Sequence, residues 1–384
     1  MLNIFAPINL LGYGVHANNL IKALSDLGQE MTLTKLGPVQ SDPYYESYWK
    51  AADANMLKFD SKNPSLFIFH DEYSYQASGK PLLTFSIFET SKLKPISKQI
   101  LMNGPTDKVL VTTDAHRNLL IENGITKPIH VVNAGVDDCV FNTIPCDKAI
   151  DTKKFTFITV GKRELRKSTD EILETFMKTM KDQEVALIAH TFNPFINKTK
   201  DHPFKNLACW TGIDPQTRGF KYIGWMGKYH KFSNGKADIY FTAPVFQTPE
   251  LPTLYHSANV GIACSKGEGW DLPLTELMAC GLPCIATMCL GHEEYLADTV
   301  DRQVPQIQSE LIILPNSMEI ANDGTWFKGD QGEWSVINRA DIEAQLKSVY
   351  ENRDKYQTKS EELSNYITTN YSWKKAAEKI ITLY

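Results

Sequence analysis

Twice along this chain a short apolar run is followed by a turn, an amphipathic helical stretch and a second apolar run. That order narrows the available folds more than any other feature of the sequence. Leu2 to Pro7 opens as a strand. Gly12-Tyr13-Gly14 follows as a glycine loop, then a helical pattern with Val15, Leu20, Ala23, Leu24 and Leu27 on one face. Gly28 stops it, and residues 31–36 read as the next strand. Strand, turn, helix, strand begins a parallel α/β sheet. Residues 66–69, 82–88, 109–112 and 129–132 supply further short strands rich in β-branched or aromatic residues. Open parallel sheets carry functional groups on loops at the carboxyl ends of their strands. Gly12 to Gly14, His70-Asp71-Glu72 and Glu89-Thr90-Ser91 are therefore expected along one edge.

The pattern lapses over residues 139–154, a polar stretch read as a linker, and then restarts. Residues 155–160 predict a strand, 161–168 a charged loop, and 169–181 a helix with Ile172, Leu173 and Phe176 inward. Residues 185–189 and 260–263 predict strands, 275–280 a helix and 283–286 a strand, with Gly281 and Pro283 closing that helix. Residues 210–245, rich in glycine, aromatics and lysine, give no assignment. The expected architecture is two α/β domains facing each other across a cleft. A length of 384 residues agrees with two to three domains. Forty basic against 45 acidic residues leave a net charge of −5, so no field draws the whole molecule to nucleic acid or anionic lipid. The amino-terminal segment lacks a secretory signal pattern, and no apolar run approaches the roughly 18 residues that span a bilayer. Seven scattered cysteines point to a reduced, cytoplasmic protein. Cys280, Cys284 and Cys289 lack the paired spacing with histidines of a metal site.

The segment from Ser265 through Glu276 carries the most chemistry. Gly267 and Gly269 permit close backbone approach to a ligand, and Pro273 suits the first turn of the helix that follows. The positive helix end then faces whatever binds there. Glu268 and Glu276 stand eight positions apart, spaced to enter one cleft, and a carboxylate holds paired hydroxyls because each oxygen accepts separately. The plainer alternative is that Glu276 only complements the helix dipole and Glu268 is a solvated loop residue. After the 155–160 strand, Lys162, Arg163, Arg166 and Lys167 concentrate four cations where an open sheet binds its ligand. Such charge suits a diphosphate leaving group; a solvated surface loop is the competing reading. Gly12-Tyr13-Gly14 lacks the third glycine of a dinucleotide fingerprint but still allows close approach to a phosphate or sugar. His16 reads as a helix-surface histidine. His70, Asp71 and Glu89 sit where an acceptor hydroxyl can be oriented.

These residues resemble those of retaining glycosyltransferases of the GT-B type, in the large family four (glycosyltransferase group 1) that includes sucrose synthases and bacterial mannosyltransferases. The resemblance rests on Glu268-Gly269-Trp270 through Glu276 to Pro283, on Val160-Gly161-Lys162 with Lys167, on Asn133-Ala134-Gly135-Val136-Asp137 with Phe141, on Phe88 to Ser91, and on Tyr371-Ser372-Trp373. It implies two Rossmann-like α/β/α domains: residues 1–145 on the acceptor side, 155–365 on the nucleotide-sugar side, and a terminal helix within 366–384 packing back on the first. It implies that Glu276 holds the nucleotide ribose, Glu268 the donor sugar, and Lys162 and Lys167 the diphosphate. Gly12, Gly14, Arg163, Gly269, Trp270, Asp271 and Leu272 would complete the nucleotide-sugar site, with His70, Asp71 and Glu89 toward the acceptor. Glu89, Lys162, Lys167 and Glu268 would act in catalysis. Asp271 stands where the family has glycine, Lys162 where it has arginine, and Glu89 where it has histidine.

The resulting expectation is a hexosyl- or pentosyltransferase that needs no cofactor. It would move sugar from a nucleotide-diphosphate donor to a hydroxyl acceptor with retention of configuration. Four other readings stay open: transfer to a hydroxymethylated nucleic-acid base, epimerisation of a sugar nucleotide, phosphorolysis, and carbohydrate binding without catalysis.

Overall fold

Runs such as Leu2–Ala6 and Leu82–Phe85 are buried at every position, and strands of that kind are stable only where both faces of a sheet are covered. The computed structural model describes residues 1–192, 213–242 and 246–384. Its first sheet contains β1 (Leu2–Ala6), β2 (Met31–Lys35), β3 (Ser65–Ile68), β4 (Leu82–Phe85), β5 (Lys108–Val111) and β6 (Ile129–Val131). They lie in the order β2-β1-β3-β4-β5-β6, all parallel. The second sheet contains β7 (Phe155–Lys162), β8 (Val185–Phe192), β9 (Lys221–Trp225), β10 (Tyr229–Ser233), β11 (Asp238–Thr242), β12 (Val260–Ala263), β13 (Cys284–Thr287) and β14 (Ile312–Ile313). Their order is β14-β13-β12-β7-β8-β11-β10-β9. The result is the two-lobed α/β GT-B architecture.

The predicted strands fall on observed ones, with ends shifted by a few residues. The unassigned stretch resolves into β9, β10 and β11, and β10 runs antiparallel to both neighbours. Its edge strand β9 is largely exposed, so the apolar run that marks a central strand is missing there. Residues 210–212 and 243–245 of that stretch, and Cys209, lie outside the described residues.

Three expectations are corrected here. The first helix begins at Gly12 and runs as Gly12–Asp26, so Gly12-Tyr13-Gly14 is its opening turn and not a loop. A Cβ on Gly14 would stand 2.2 Å from Asn9 Oδ1, so this glycine serves the tight entry of its own chain. His16 is 2% exposed and belongs to no surface. Its ring packs edge-on against Phe85 at 4.5 Å and Trp373 at 4.9 Å, and burial pushes its pKa down to about 3, keeping it neutral. The helix after the glutamate loop also starts three residues earlier than predicted, as Leu272–Ala279 with Pro273 in its first turn.

The chain crosses between the lobes twice, and the crossings lie side by side. Val136 on the outward path pairs in parallel with Ser372 on the return, and its N–H donates to the Tyr371 carbonyl at 3.2 Å. Ser372 then caps the closing helix Trp373–Ile381, accepting from Lys375 N, and Trp373 delivers that helix to the first lobe through His16. The preceding helix Glu361–Asn370 stays on the second lobe, where Ser364 Oγ donates to the Ala279 carbonyl at 2.6 Å. A second link is the hairpin of β15 (Met318–Ile320) and β16 (Glu333–Ser335). Ser91 N donates to the Glu333 carbonyl at 3.0 Å, while Ser335 N donates to the Lys266 carbonyl at 2.8 Å. This hairpin therefore ties the loop after β4 to the loop after β12. Among the described residues no helix is long and apolar enough to cross a membrane.

Candidate functional site

Four elements end at one place between the sheets: β4 with the loop to Glu89, β7 with the turn Leu165–Lys167, β12 with the loop 264–271, and β13 with the turn Leu290–His292. The approach of the first and third is extremely close. A Cβ on Gly267 would stand 2.3 Å from the Glu89 carbonyl oxygen, and one on Gly269 would stand 1.9 Å from Ile87 Cγ2. The two glycines thus admit the opposite lobe, and not only a ligand. Gly267→Ala is expected to destabilise the protein by about 1–3 kcal/mol through overpacking. Urea denaturation checks this against Gly12→Ala, where a Cβ meets nothing within 4 Å and no comparable loss is expected.

At this junction charged side chains alternate in sign. Arg166 is 5% exposed and contacts three carboxylates: Glu268 Oε1 at 2.6 Å, Glu164 Oε1 at 2.7 Å and Glu89 Oε1 at 2.9 Å. Its Nη1 also donates to the Gly267 carbonyl at 2.6 Å. Lys167 Nζ lies 2.7 Å from Glu268 Oε1 and 2.9 Å from Asp271 Oδ1. Lys162 pairs with Glu164 at 2.7 Å, and Arg163 turns aside to Asp170 at 2.8 Å. Asp271 Oδ2 continues the chain to His292 Nε2 at 3.3 Å.

Burial and charge pull against each other throughout this cluster. Burial alone would lower the pKa of Lys167, but Asp271 and Glu268 hold it above the ordinary lysine value. Arg166 is likewise pushed upward by its carboxylates despite its burial. Burial would raise Glu164, yet Arg166 and Lys162 keep it below the usual range. Glu89 goes the other way: desolvation raises it in spite of Arg166, with Glu268 and Glu164 adding to the rise. Asp271 is held well below the usual carboxylate range by Lys167 and His292, against the cost of its burial.

Glu276 stands apart from this ion-pair chain. It projects from the Leu272–Ala279 helix and accepts from Tyr255 Oη at 2.8 Å, while Tyr255 stacks on Phe141 at 5.8 Å. Burial raises its pKa to about 8, with the Tyr255 hydrogen bond opposing the rise and Asp271 adding to it. Trp270 is 3% exposed and its ring packs on Tyr295 and Tyr371, so its side chain serves the core. Gly269 contributes its carbonyl to Thr112 Oγ1 from the first lobe. Leu272 is a half-buried first-turn residue.

Near Glu72 and Lys94, His70 packs edge-on against Tyr13 at 4.8 Å and Phe69 at 4.7 Å. Asp71 is buried, and that burial raises its pKa to about 6. Gly12 and Gly14 stay in the helix; Tyr13 between them is the residue that reaches the junction, its hydroxyl accepting from Ile87 N at 3.0 Å. Lys92 and Lys94 are paired with Asp330 and Glu72. Among the described residues, the only His, Cys, Asp and Glu trio with converging ligand atoms is Asp137, Asp138 and Cys139, away from Cys280 and Cys284.

The sequence reading named Arg166 only within a charged run and gave no role to Glu164, Tyr255 or His292. A run of cations does not reveal which member turns inward, and a lone histidine gives no signal at all.

Residues 214–321 match the family described as glycosyl transferases group 1. No curated protein matches the sequence. Among solved structures, sucrose-phosphate synthase from Thermosynechococcus elongatus is similar over 100% of this chain and 98% of its own, with 13% identity and a TM-score of 0.65. HepE from Anabaena, solved in complex with UDP and glucose, is similar over 99% of this chain and 98% of its own, with 11% identity and a TM-score of 0.62. The lipopolysaccharide outer core galactosyltransferase WaaB is similar over 100% of this chain and 99% of its own, with 14% identity and a TM-score of 0.58. The fold shared with these structures is GT-B.

Proposed function

We propose that this chain is a retaining glycosyltransferase that moves a hexosyl or pentosyl group from a nucleotide-diphosphate sugar to a hydroxyl acceptor. The observation that carries the reading is the convergence of Glu268 with Arg166 and Lys167 at the end of the Leu272–Ala279 helix, with Glu276 one helix turn deeper beside Tyr255. Residues 155–365 hold the donor and residues 1–145 the acceptor, in the cytoplasm, with the terminal helix within 366–384 closing on the first lobe. Lys167, with Lys162 and Arg166 beside it, faces the diphosphate and steadies the charge that grows on it as the glycosidic bond breaks. Glu268 exchanges a cation for the sugar hydroxyls, and Glu276 accepts from the ribose hydroxyls. The acceptor hydroxyl approaches from the side of Glu89, His70 and Asp71, and the departing phosphate takes its proton. The pairing of Lys92 and Lys94 with acidic neighbours favours an uncharged acceptor over a nucleic-acid backbone.

Incubation with a panel of nucleotide sugars and neutral sugar acceptors tests the reading. A glycoside with the donor's anomeric configuration is expected by NMR; inversion, or nucleotide-sugar epimers without transfer, would refute it. Titration calorimetry tests the ribose contact. Glu276→Ala is expected to weaken nucleoside diphosphate binding by about 1–3 kcal/mol. The sign of its pH dependence follows from the pKa of about 8. The ligand needs the carboxylate, so below that pH binding releases a proton and affinity climbs with pH, levelling off above it. Glu276→Gln abolishes that slope.

A further inference from the structure

Asp271 occupies a left-handed backbone conformation, with φ of 71°, that a glycine would adopt without strain. Backbone geometry therefore does not account for an aspartate there. The residue is 7% exposed, and its carboxylate lies between Lys167 Nζ at 2.9 Å and His292 Nε2 at 3.3 Å. His292 is fully buried. Its Nδ1 lies 2.7 Å from the Thr287 carbonyl, which can only accept, so that nitrogen carries a proton. A neutral ring would then turn a lone pair toward the Asp271 carboxylate, so Nε2 carries a proton as well. The Glu293 carboxylate, next in the chain, also feels the charge of His292; the other groups facing the ring are the Cys289 thiol, with Sγ 3.7 Å from Nδ1, and the Tyr295 ring at 5.9 Å. None of them supplies a competing cation.

We propose that His292 is a positioning residue for the diphosphate site: by balancing the charge of Asp271, it leaves the Lys167 ammonium uncancelled for the phosphate groups. The proposal rests on the donor site described above. Asp271 without His292 would neutralise Lys167 in a buried setting where water cannot screen the pair. With His292 charged, Asp271 and His292 sum to zero. Asp271 then acts as a tether that keeps Lys167 in place when Glu268 turns to a sugar, without subtracting from its charge. The upward displacement of the His292 pKa, imposed by Cys289 and Asp271 against burial, agrees with this arrangement.

The test is a double-mutant cycle read by calorimetric titration with UDP. His292→Gln retains an N–H donor but no charge, and its UDP affinity is expected to fall on the order of tenfold. Adding Asp271→Asn, which tolerates the same backbone conformation, is expected to recover most of that loss. A double variant as weak as His292→Gln would overturn the proposal, because a merely structural histidine gains nothing from losing its partner's charge. Nitrogen-15 NMR of histidine-labelled wild type gives a readout independent of variant folding. Both ring nitrogens of His292 should be protonated at neutral pH, and Asp271→Asn should return the ring to neutrality. A neutral His292 in the wild type would overturn the proposal. Failure of the wild type to bind UDP, ADP or GDP refutes the donor site itself, and the ring-nitrogen spectrum, which needs no nucleotide, separates the two failures.

Discussion

Arg166→Met lowers the unfolding free energy by about 3–5 kcal/mol at neutral pH, the cost of removing one partner from a buried ion-pair cluster. The guanidinium is the shared counter-charge of Glu89, Glu164 and Glu268, so its loss strands Glu89 and leaves Glu164 and Glu268 with one cation each, Lys162 and Lys167. Methionine fills much of the volume, so what is lost is the charge and the hydrogen bond to the Gly267 carbonyl. The pH dependence has a definite sign. Burial already raises Glu89 against the pull of Arg166, and without Arg166 its folded-state pKa lies further above that of the unfolded chain. The protonated form then contributes stability that is present below the unfolded carboxylate pKa of about 4.3 and lost as pH rises. Urea denaturation of the variant at mildly acidic and at neutral pH should therefore show the deficit shrinking on the acid side. An equal deficit at both would mean that the cluster contributes through packing and not through charge.

Lys167→Ala reduces kcat by about 10²–10³-fold, with a smaller change in KM for the donor. The variant should still fold, because each carboxylate it abandons retains a cation: Glu268 keeps Arg166 and Asp271 keeps His292. The loss falls on kcat because the ammonium matters most when negative charge accumulates on the departing diphosphate. Steady-state kinetics with a saturating donor, alongside circular dichroism, checks both halves. Unchanged turnover in a folded variant would remove Lys167 from the chemistry and leave Arg166 and Lys162 to carry it.

Much of the fold was legible because buried parallel strands write continuous apolar runs: β1, β3, β4, β5, β7, β8 and β12 all do so. The exposed β9–β10 hairpin writes no such run, and the short β15–β16 hairpin was not recognised. The site was legible in pieces. Glu268 and Glu276 announce themselves through the glycines and proline around them. Their cationic partner Arg166 is hidden in a run of four charges, since only the turn Leu165–Lys167 decides that Arg166 points inward while Arg163 swings to Asp170. At residues 12 and 14 the glycines suggest a loop where the structure has the first turn of a helix. Glycine at a helix start signals close approach without saying to what: at Gly14 the neighbour is Asn9 of the same chain, whereas a Cβ on Gly12 meets nothing within 4 Å. His292 and Tyr255 became meaningful only once the tertiary fold set them against Asp271 and Glu276.

The paired crossings at Val136 and Ser372 limit how the two lobes can part. A door hung on one pin both swings and twists, whereas a door hung on two neighbouring pins only swings. Parting Glu89 from Arg166 about these crossings would also have to release Ser91 from Glu333 or carry the β15–β16 hairpin along with one lobe.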